Sequence, residues 1–311
     1  MNAFQICSLF GRVRIHGYDL PPLTFHSVHN YRTNGFLPIE LIRSSSSTPP
    51  SLLSIQSLLS DRRLAEHALN LVQQHGGDIV LLRSEPSTAS SFIKAVRAHP
   101  NYSYWFSNTR STFGDIDPWR RLENSLDVRL IETIPEKSVI PSPQFVSTAD
   151  HVIHRWKNET SENTPFIVLV CGEKDMGKST LMRYLLHRAL NHTGSSFALT
   201  YMDCDIGQSE FTISGCISYV DVRSPLLGPP HSHIRSHPKP DRLLYFGYNS
   251  AQSSAVRYLQ YIDHLRQLWN IDHAGQRDKR SLILINTMGW GTGRHAMQRR
   301  QISFEGCRAV V

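Results

Sequence analysis

The sequence predicts an α/β fold, with a mostly parallel sheet and flanking helices, preceded by a β-rich N-terminal domain. Over residues 166–293, apolar strand-like runs alternate with segments of helical periodicity, which is the pattern of βαβ units. Residues 8–42 instead carry β-formers punctuated by glycine, proline and asparagine, which is typical of short strands joined by turns. The chain is therefore expected to contain two regions of different architecture.

Changes in composition along the chain predict four consecutive segments. The β-rich domain covers residues 1–140, and we expect it to be incomplete at its start. A linker with a short helix covers 141–165, because the Pro-rich run 134–144 indicates a connection between domains. The α/β domain covers 166–293 and is followed by a basic tail, 294–311, which we expect to be solvated.

Within these segments, hydrophobic periodicity predicts individual helices and strands. Helices are expected over 55–75, 149–156, 178–191 and a later segment that includes Val256 and Trp269. Strands are expected over 79–82, 166–171, 197–202, from Arg242 onward, and over 282–285.

The bulk composition indicates a globular protein, since 40 % of the 311 residues are hydrophobic and 19 % are charged. A formal net charge of +7 makes a polyanionic partner plausible, although many soluble proteins are basic without one. The five cysteines form no CxxC pair, which argues against a zinc knuckle or a redox dithiol. We expect no membrane association, because no apolar run is long enough to cross a bilayer.

A phosphate-binding motif, GEKDMGKST, follows the strand PFIVLVC and matches G-x-x-x-x-G-K-[ST] in full. Its glycines allow main-chain N–H groups to point at phosphate oxygens, and the following helix adds its N-terminal dipole. This strand-loop-helix setting argues against a Gly-rich turn without function and predicts a P-loop NTPase-type fold. Lys178 would reach the phosphates, and the Ser179 hydroxyl would bind Mg²⁺. The expected nucleotide contacts are Gly172, Glu173, Lys174, Asp175, Met176, Gly177, Lys178, Ser179 and Thr180.

Two carboxylates follow in YMDCDIGQSEF, at the carboxyl end of a neighbouring strand. Ligands bind at that edge of open α/β sheets, and residues two apart on a strand share a face. Asp203 and Asp205 could therefore serve a metal and accept a proton, the two tasks of phosphoryl transfer. The alternative is that they cap a turn. Gln208 would offer its amide to the substrate or the nucleotide.

A later strand ends in Asn286-Thr287-Met288-Gly289-Trp290. A GTPase would carry an Asn-Lys-x-Asp guanine-recognition motif there, so this segment argues against a G protein. Thr287 and Asn286 are weaker site candidates of this segment.

In combination, GEKDMGKST, YMDCDIGQSEF, YFGYNS and LINTMGWGTG resemble the polynucleotide 5′-hydroxyl-kinase family, especially its ribosomal-RNA-processing branch of the nucleolar protein nine type. The resemblance implies that 166–293 form a P-loop kinase domain, which uses ATP and Mg²⁺ to phosphorylate the 5′-hydroxyl end of RNA or DNA. It further implies a protein partner in ribosomal-RNA processing and a location in the nucleus and nucleolus.

The resemblance also implies roles for individual residues. Lys178 would bind phosphates and act in catalysis, Asp205 would be the general base, and Asp203 would lie near the metal. Trp290 would clasp the terminal nucleotide by stacking, with packing as an equally weighted alternative. Gln208 and Thr287 would contact the substrate.

The chain departs from the family after Gly293, where a helix, a strand and an arginine-bearing lid are expected. The stretch RHAMQRRQISFEGCRAVV matches none of these. Arg294, Arg299 and Arg300 could substitute for the lid arginines, but the expectation is a solvated basic tail. A catalytically weak ATP-binding scaffold of an RNA-processing complex is therefore the alternative function. The histidines of HSHIRSHP, residues 231–238, could bind a metal ion, but we expect this stretch to be a solvated loop.

Overall fold

The computed structural model describes residues 2–30, 37–42, 49–75, 78–84, 120–123, 138, 140–159, 164–173, 175–192, 197–236, 239–275, 280–289 and 307–310. The chain divides into two compact units, Met1–Ile140 and Pro141–Val311. No helix among the described residues combines the length and the apolar character needed to cross a membrane.

The described part of the first unit contains antiparallel strands in two three-stranded sheets. The strands are β1 (Asn2–Phe10), β2 (Arg12–Ile15), β3 (Tyr18–Asp19), β4 (His26–Asn30), β5 (Ile39–Ile42) and β6 (Ile79–Ser84). β1 lies between β4 and β6 in one sheet, and β2 lies between β3 and β5 in the other. The expectation of short strands joined by turns is confirmed.

The single helix expected over 55–75 is two helices, α1 (Leu52–Leu59) and α2 (Arg62–His75). Ser60 has a left-handed φ of 60°, and its N–H donates to the Gln56 carbonyl, which ends α1. The Asp61 carboxylate then accepts the N–H groups of Arg63 and Leu64, which starts α2. Periodicity alone did not reveal this break because both helices bury apolar residues against the same core.

The second unit contains one six-stranded sheet with helices between its strands. Its elements are α3 (Pro143–Glu159), β7 (Phe166–Val170), α4 (Lys178–Leu190), β8 (Phe197–Cys204), β9 (Cys216–Asp221), α5 (Pro230–Ser236), β10 (Arg242–Tyr245), a 3₁₀ turn (Ala251–Ser253), α6 (Ala255–Asp272), β11 (Arg280–Thr287) and β12 (Cys307–Val310). The strand order is β10-β9-β8-β11-β7-β12. β8, β11, β7 and β12 run parallel, and β9 is antiparallel to both of its neighbours. The predicted α/β fold is confirmed.

The two faces of this sheet are covered by different helices. Ile283 and Ile285 of β11 belong to the apolar core that includes Tyr258 and Trp269 of α6. Successive side chains of a strand point to opposite faces, so Asn286 lies on the other face, where α4 packs against β8 and β11. By the same alternation, Asp203 of β8 lies on the α4 face. The ends of two neighbouring strands thus place polar side chains beneath the helix that follows the phosphate-binding motif.

Several sequence expectations for this unit need correction. The antiparallel strand β9 was not predicted, and the helix expected over 149–156 extends over Pro143–Glu159 because Ser142 caps it and Pro143 suits its first turn. The strand expected to end at Met202 continues to Cys204, so Asp203 lies inside it.

Two further segments differ from expectation. The histidine-rich stretch forms α5 and buries one of its histidines, so it is not a solvated loop. The expected basic tail contains β12, which pairs parallel with β7, while Arg294, Arg299 and Arg300 lie outside the described residues.

Candidate active site

The phosphate-binding loop connects the end of β7 to the start of α4. Asp175 and Gly177 both have left-handed backbone angles, with φ of 64° and 82°. A Cβ atom on Gly177 would also lie 3.2 Å from Cζ of Phe145. Glycine is therefore favoured at 177 both by the backbone conformation and by the ring packed against it.

The remaining loop residues surround the same turn. Nζ of Lys178 donates to the Glu173 carbonyl over 2.7 Å, which holds the ammonium group over the loop. Ser179 and Thr180 are half-buried in the first turn of α4, and Met176 is exposed. Lys174 lies outside the described residues.

This loop fits the triphosphate that the motif predicts. Left-handed backbone at Asp175 and Gly177, followed by the N-terminus of α4, directs main-chain N–H groups toward one point, which is how proteins cradle phosphate. At Gly172, a Cβ would have the Lys178 side chain, at 3.7 Å, as its near neighbour among the described residues. The Ser179 hydroxyl, one residue after Lys178, is of the type that holds Mg²⁺.

Asp203 is fully buried and accepts three N–H groups. Its Oδ1 accepts the N–H of Asp205 and Nδ2 of Asn286, both at 3.3 Å, and its Oδ2 accepts the N–H of Glu210 at 2.6 Å. Burial raises the pKa of this carboxyl to about 7, against the lowering effect of the Glu210 N–H. Each oxygen of Asp203 is thus oriented by at least one N–H donor, and the metal role of this carboxylate stays a prediction.

Asp205 lies just beyond the end of β8 and is half-buried. Its Oδ1 accepts the N–H groups of Gly207 at 3.0 Å and Gln208 at 3.1 Å. No donor reaches Oδ2 within the described part of the chain, so this oxygen is available to a proton donor. The two carboxylates therefore do not share a strand face as expected. Asp203 holds the turn by accepting the N–H groups of Asp205 and Glu210. Asp205 accepts the N–H groups of Gly207 and Gln208 through Oδ1 and keeps Oδ2 available to a proton donor.

Glu210 ends this turn and is buried between two cationic or N–H-bearing side chains. Arg183 of α4 donates to both of its oxygens over 3.0–3.2 Å, and His233 of α5 donates Nδ1–H over 2.6 Å. Burial alone would raise the pKa of Glu210, but the charge of Arg183 and the His233 hydrogen bond lower it to about 2. Glu210 is therefore an ionised carboxylate in the core of the unit.

β11 lies between the two strands that carry the loop and the carboxylates. Asn286 is in register with both Val170 of β7 and Asp203 of β8. Its Nδ2 bonds to Asp203, while its buried Oδ1 has no hydrogen-bond partner among the described residues. The Thr287 hydroxyl donates to the Val170 carbonyl over 2.9 Å. Trp290, the predicted stacking residue, lies outside the described residues.

The structure thus brings several of the predicted residues to one edge of the sheet. Gln208 is exposed beside Asp205, where an amide could meet a substrate. Arg183 and Glu210 were not predicted as site residues, and His233 was considered only among the histidines of 231–238. Glu210 follows closely on the Asp-x-Asp pair, which was the available signal, but nothing in a single sequence links it to Arg183 or His233.

Residues 172–304 match the family described as mRNA cleavage and polyadenylation factor CLP1 P-loop. The chain is 40 % identical over 162 residues to polynucleotide 5′-hydroxyl-kinase NOL9 of Danio rerio. It is 28 % identical over 305 residues to NOL9 of Homo sapiens, an alignment that covers 92 % of this chain. The chain is homologous to NOL9-type polynucleotide 5′-hydroxyl-kinases.

The chain spans only part of these relatives, 20 % of the fish protein and 38 % of the human protein. Among solved structures, it resembles the wild-type Clp1p–Pcf11p complex with a TM-score of 0.51 and 15 % identity, over 97 % of this chain and 53 % of that one. At that identity the likeness supports the shared fold alone.

Proposed function

We propose that this chain carries the ATP-binding and proton-accepting part of a polynucleotide 5′-hydroxyl-kinase acting on RNA, or on DNA. The observation that carries the proposal is a register relationship. β11 pairs in parallel with both β7 and β8, so the phosphate loop and the Asp205 turn both lie at the carboxyl ends of these neighbouring strands. A donor phosphate site and a carboxylate at one edge are what transfer to a hydroxyl requires.

Each residue then has a separate task in the transfer. Asp205 accepts the 5′-hydroxyl proton as the hydroxyl oxygen bonds to the γ-phosphorus, and the bond from that phosphorus to the β,γ-bridging oxygen breaks to leave ADP. Lys178 and the α4 N-terminus hold the phosphates and offset their negative charge. Mg²⁺, for which Ser179 is the fitting residue, supplies further positive charge to the phosphates when bound.

We also propose that the substrate is precursor ribosomal RNA, and that the protein acts in the nucleolus with a protein partner. The support is the resemblance of the sequence motifs to the ribosomal-RNA-processing branch of the family, together with the formal net charge of +7, which favours a polyanionic substrate.

The test is transfer of label from γ-labelled ATP to a 5′-hydroxyl RNA oligonucleotide by the full chain, with and without Mg²⁺. Lys178→Ala and Asp205→Asn should each lose the transfer, because one removes phosphate binding and the other the proton acceptor. Lys157→Ala and Asp263→Asn, at exposed positions, are the matched controls and should retain it.

The choice of oligonucleotide that accepts the phosphate distinguishes the possible outcomes. An oligonucleotide that already carries a 5′-phosphate should take up no label, and a 5′-hydroxyl DNA shows which polynucleotide is preferred. Tight ATP binding by a folded chain that transfers no label would contradict the kinase proposal and favour an ATP-binding scaffold.

A further inference from the structure

Glu210 is the centre of a buried cluster that joins three elements of the second unit. Its side chain is 2 % exposed, as is that of His233, and the Arg183 side chain is 20 % exposed. Nη2 of Arg183 lies 3.0 Å from Oε2, and Nδ1 of His233 lies 2.6 Å from Oε1. All of the acceptor capacity of a buried carboxylate is therefore directed at one residue of α4 and one of α5.

One member of the cluster lies on the helix that begins at the phosphate loop. Arg183 lies on α4, five positions after Lys178, which is the first residue of that helix. A displacement of the α4 N-terminus therefore moves the guanidinium group with it, because a helix of this length behaves as a rigid element.

Another member of the cluster lies in the turn that carries Asp205. The main-chain N–H of Glu210 donates to Asp203 Oδ2, and the N–H of Asp205 donates to Asp203 Oδ1. Asp203 thus fastens the first and last residues of the turn, while the Glu210 side chain reaches out to α4. The turn has no comparable side-chain link to α4 elsewhere among the described residues.

A buried ion pair of this kind is not explained by a contribution to stability alone. Removing two charges from water costs energy that their attraction does not reliably recover, and apolar replacements are often as stable. A guanidinium-carboxylate pair does provide a defined geometry, because the planar guanidinium group fixes both the distance and the angle between the two side chains.

We propose that Arg183, Glu210 and His233 are positioning residues that hold the Asp205 turn in register with the phosphate loop. The proposal rests on the proposed kinase function. Asp205 must reach a hydroxyl at a distance set by a phosphate on α4, and this cluster is the side-chain link that couples the two. Displacements of about 1 Å in such arrangements cost about 10²-fold in rate.

The test compares two ion pairs on the same helix. Arg183→Met/Glu210→Met removes both charges of the positioning pair. Arg188→Met/Asp150→Met removes the pair in which Arg188 contacts Asp150 of α3 over 2.6 Å, away from the Asp205 turn. The first variant should bind ATP with wild-type affinity and lose about tenfold or more in kcat, while the second should retain kcat. A folded first variant with wild-type kcat would overturn the proposal, as would equal losses in both variants.

Two further measurements keep the outcome decisive. If the first double variant does not fold, Arg183→Lys keeps the charge but not the fork, and wild-type kcat with that variant would overturn the proposal. Hydrogen exchange gives a readout independent of transfer. ATP should slow exchange of the amides in 205–210 in the wild-type chain but not in the double variant. If the wild-type chain transfers no label, the kinase function fails, and this exchange difference still decides whether the cluster couples the two sites.

Discussion

The Thr287 hydroxyl donates to the Val170 carbonyl over 2.9 Å, joining the last residues of β11 and β7. Both residues are buried, and Val170 is the last residue of the strand that leads into the phosphate loop. The hydroxyl that the resemblance assigned to the substrate is thus engaged by the main chain. Thr287 anchors the β7 end of the loop to the central strand of the sheet.

Replacing Thr287 by valine keeps the side-chain volume but removes this donor. Thr287→Val should lower the free energy of unfolding by about 1–3 kcal/mol, because a buried carbonyl loses a hydrogen bond. It should also weaken ATP binding. Urea denaturation and nucleotide titration measure the two effects, and Thr287→Ser, which keeps the hydroxyl, should stay close to wild type. Wild-type stability of Thr287→Val with a raised KM for the oligonucleotide would instead support the substrate role.

Gly177 combines a left-handed backbone with a ring packed against its α-carbon. Gly177→Ala should weaken ATP binding by about tenfold or more, since a side chain at φ of 82° costs about 1–2 kcal/mol and its Cβ would press on Phe145. Titration with ATP measures the change. Gly275→Ala is the matched control, because a Cβ there meets nothing within 4 Å among the described residues. Equal affinities of the two variants would show that the loop tolerates an altered backbone.

The buried carboxylate Glu210 should make stability depend on acid pH. Its folded-state pKa, about 2, is lowered from an ordinary value of 4.5, so its contribution is present above pH 4.5 and is lost as pH falls toward 2. The loss should be roughly 3 kcal/mol across that window. Unfolding measured from neutral to acid pH should show a smaller acid loss for Glu210→Gln than for wild type. Asp263→Asn, which removes an exposed carboxylate, should follow the wild-type curve in this window.

Much of the fold was accessible from sequence where local pattern and burial agree. All five residues of β7 are buried, so an apolar run identified the strand without knowledge of its partners. β9 was missed although five of its six residues are buried, because CISYVD contains Ser218 and Asp221 and forms no continuous apolar run. α5 was missed because HSHIRS has no apolar repeat. Burial of His233 against Glu210 is the tertiary contact that outweighs its local composition.

The candidate site was predictable to the extent that it is contiguous in sequence. The phosphate loop occupies consecutive residues, and its fold follows from local backbone requirements. The bond between Asn286 and Asp203 joins positions 83 residues apart, and the Arg183–Glu210 pair spans 27. No periodicity links such pairs. The hydrogen bond from Asn286 to Asp203 therefore became visible only with the sheet register.

Asn286 offers a test of how Asp203 is held. Its Nδ2 donates to Asp203. Burial, together with the charges of Glu210 and Asp205, raises the pKa of Asp203 to about 7. Asn286→Asp would remove the donor and place a second carboxyl beside the first, which raises the pKa of the pair further. A carboxyl with a raised folded-state pKa contributes stability below its unfolded pKa and loses it as pH rises through the folded pKa.

The unfolding free energy of Asn286→Asp should therefore keep falling above about pH 7, where the loss in wild type levels off, by up to about 1.4 kcal/mol per pH unit. Denaturant titration at several pH values measures the slope. Asn158→Asp adds a carboxyl at an exposed position of α3 and should run parallel to wild type. Parallel curves for Asn286→Asp as well would mean that the amide of Asn286 does not determine the ionisation of Asp203, and that the Glu210 and Asp205 N–H groups hold the carboxylate without it.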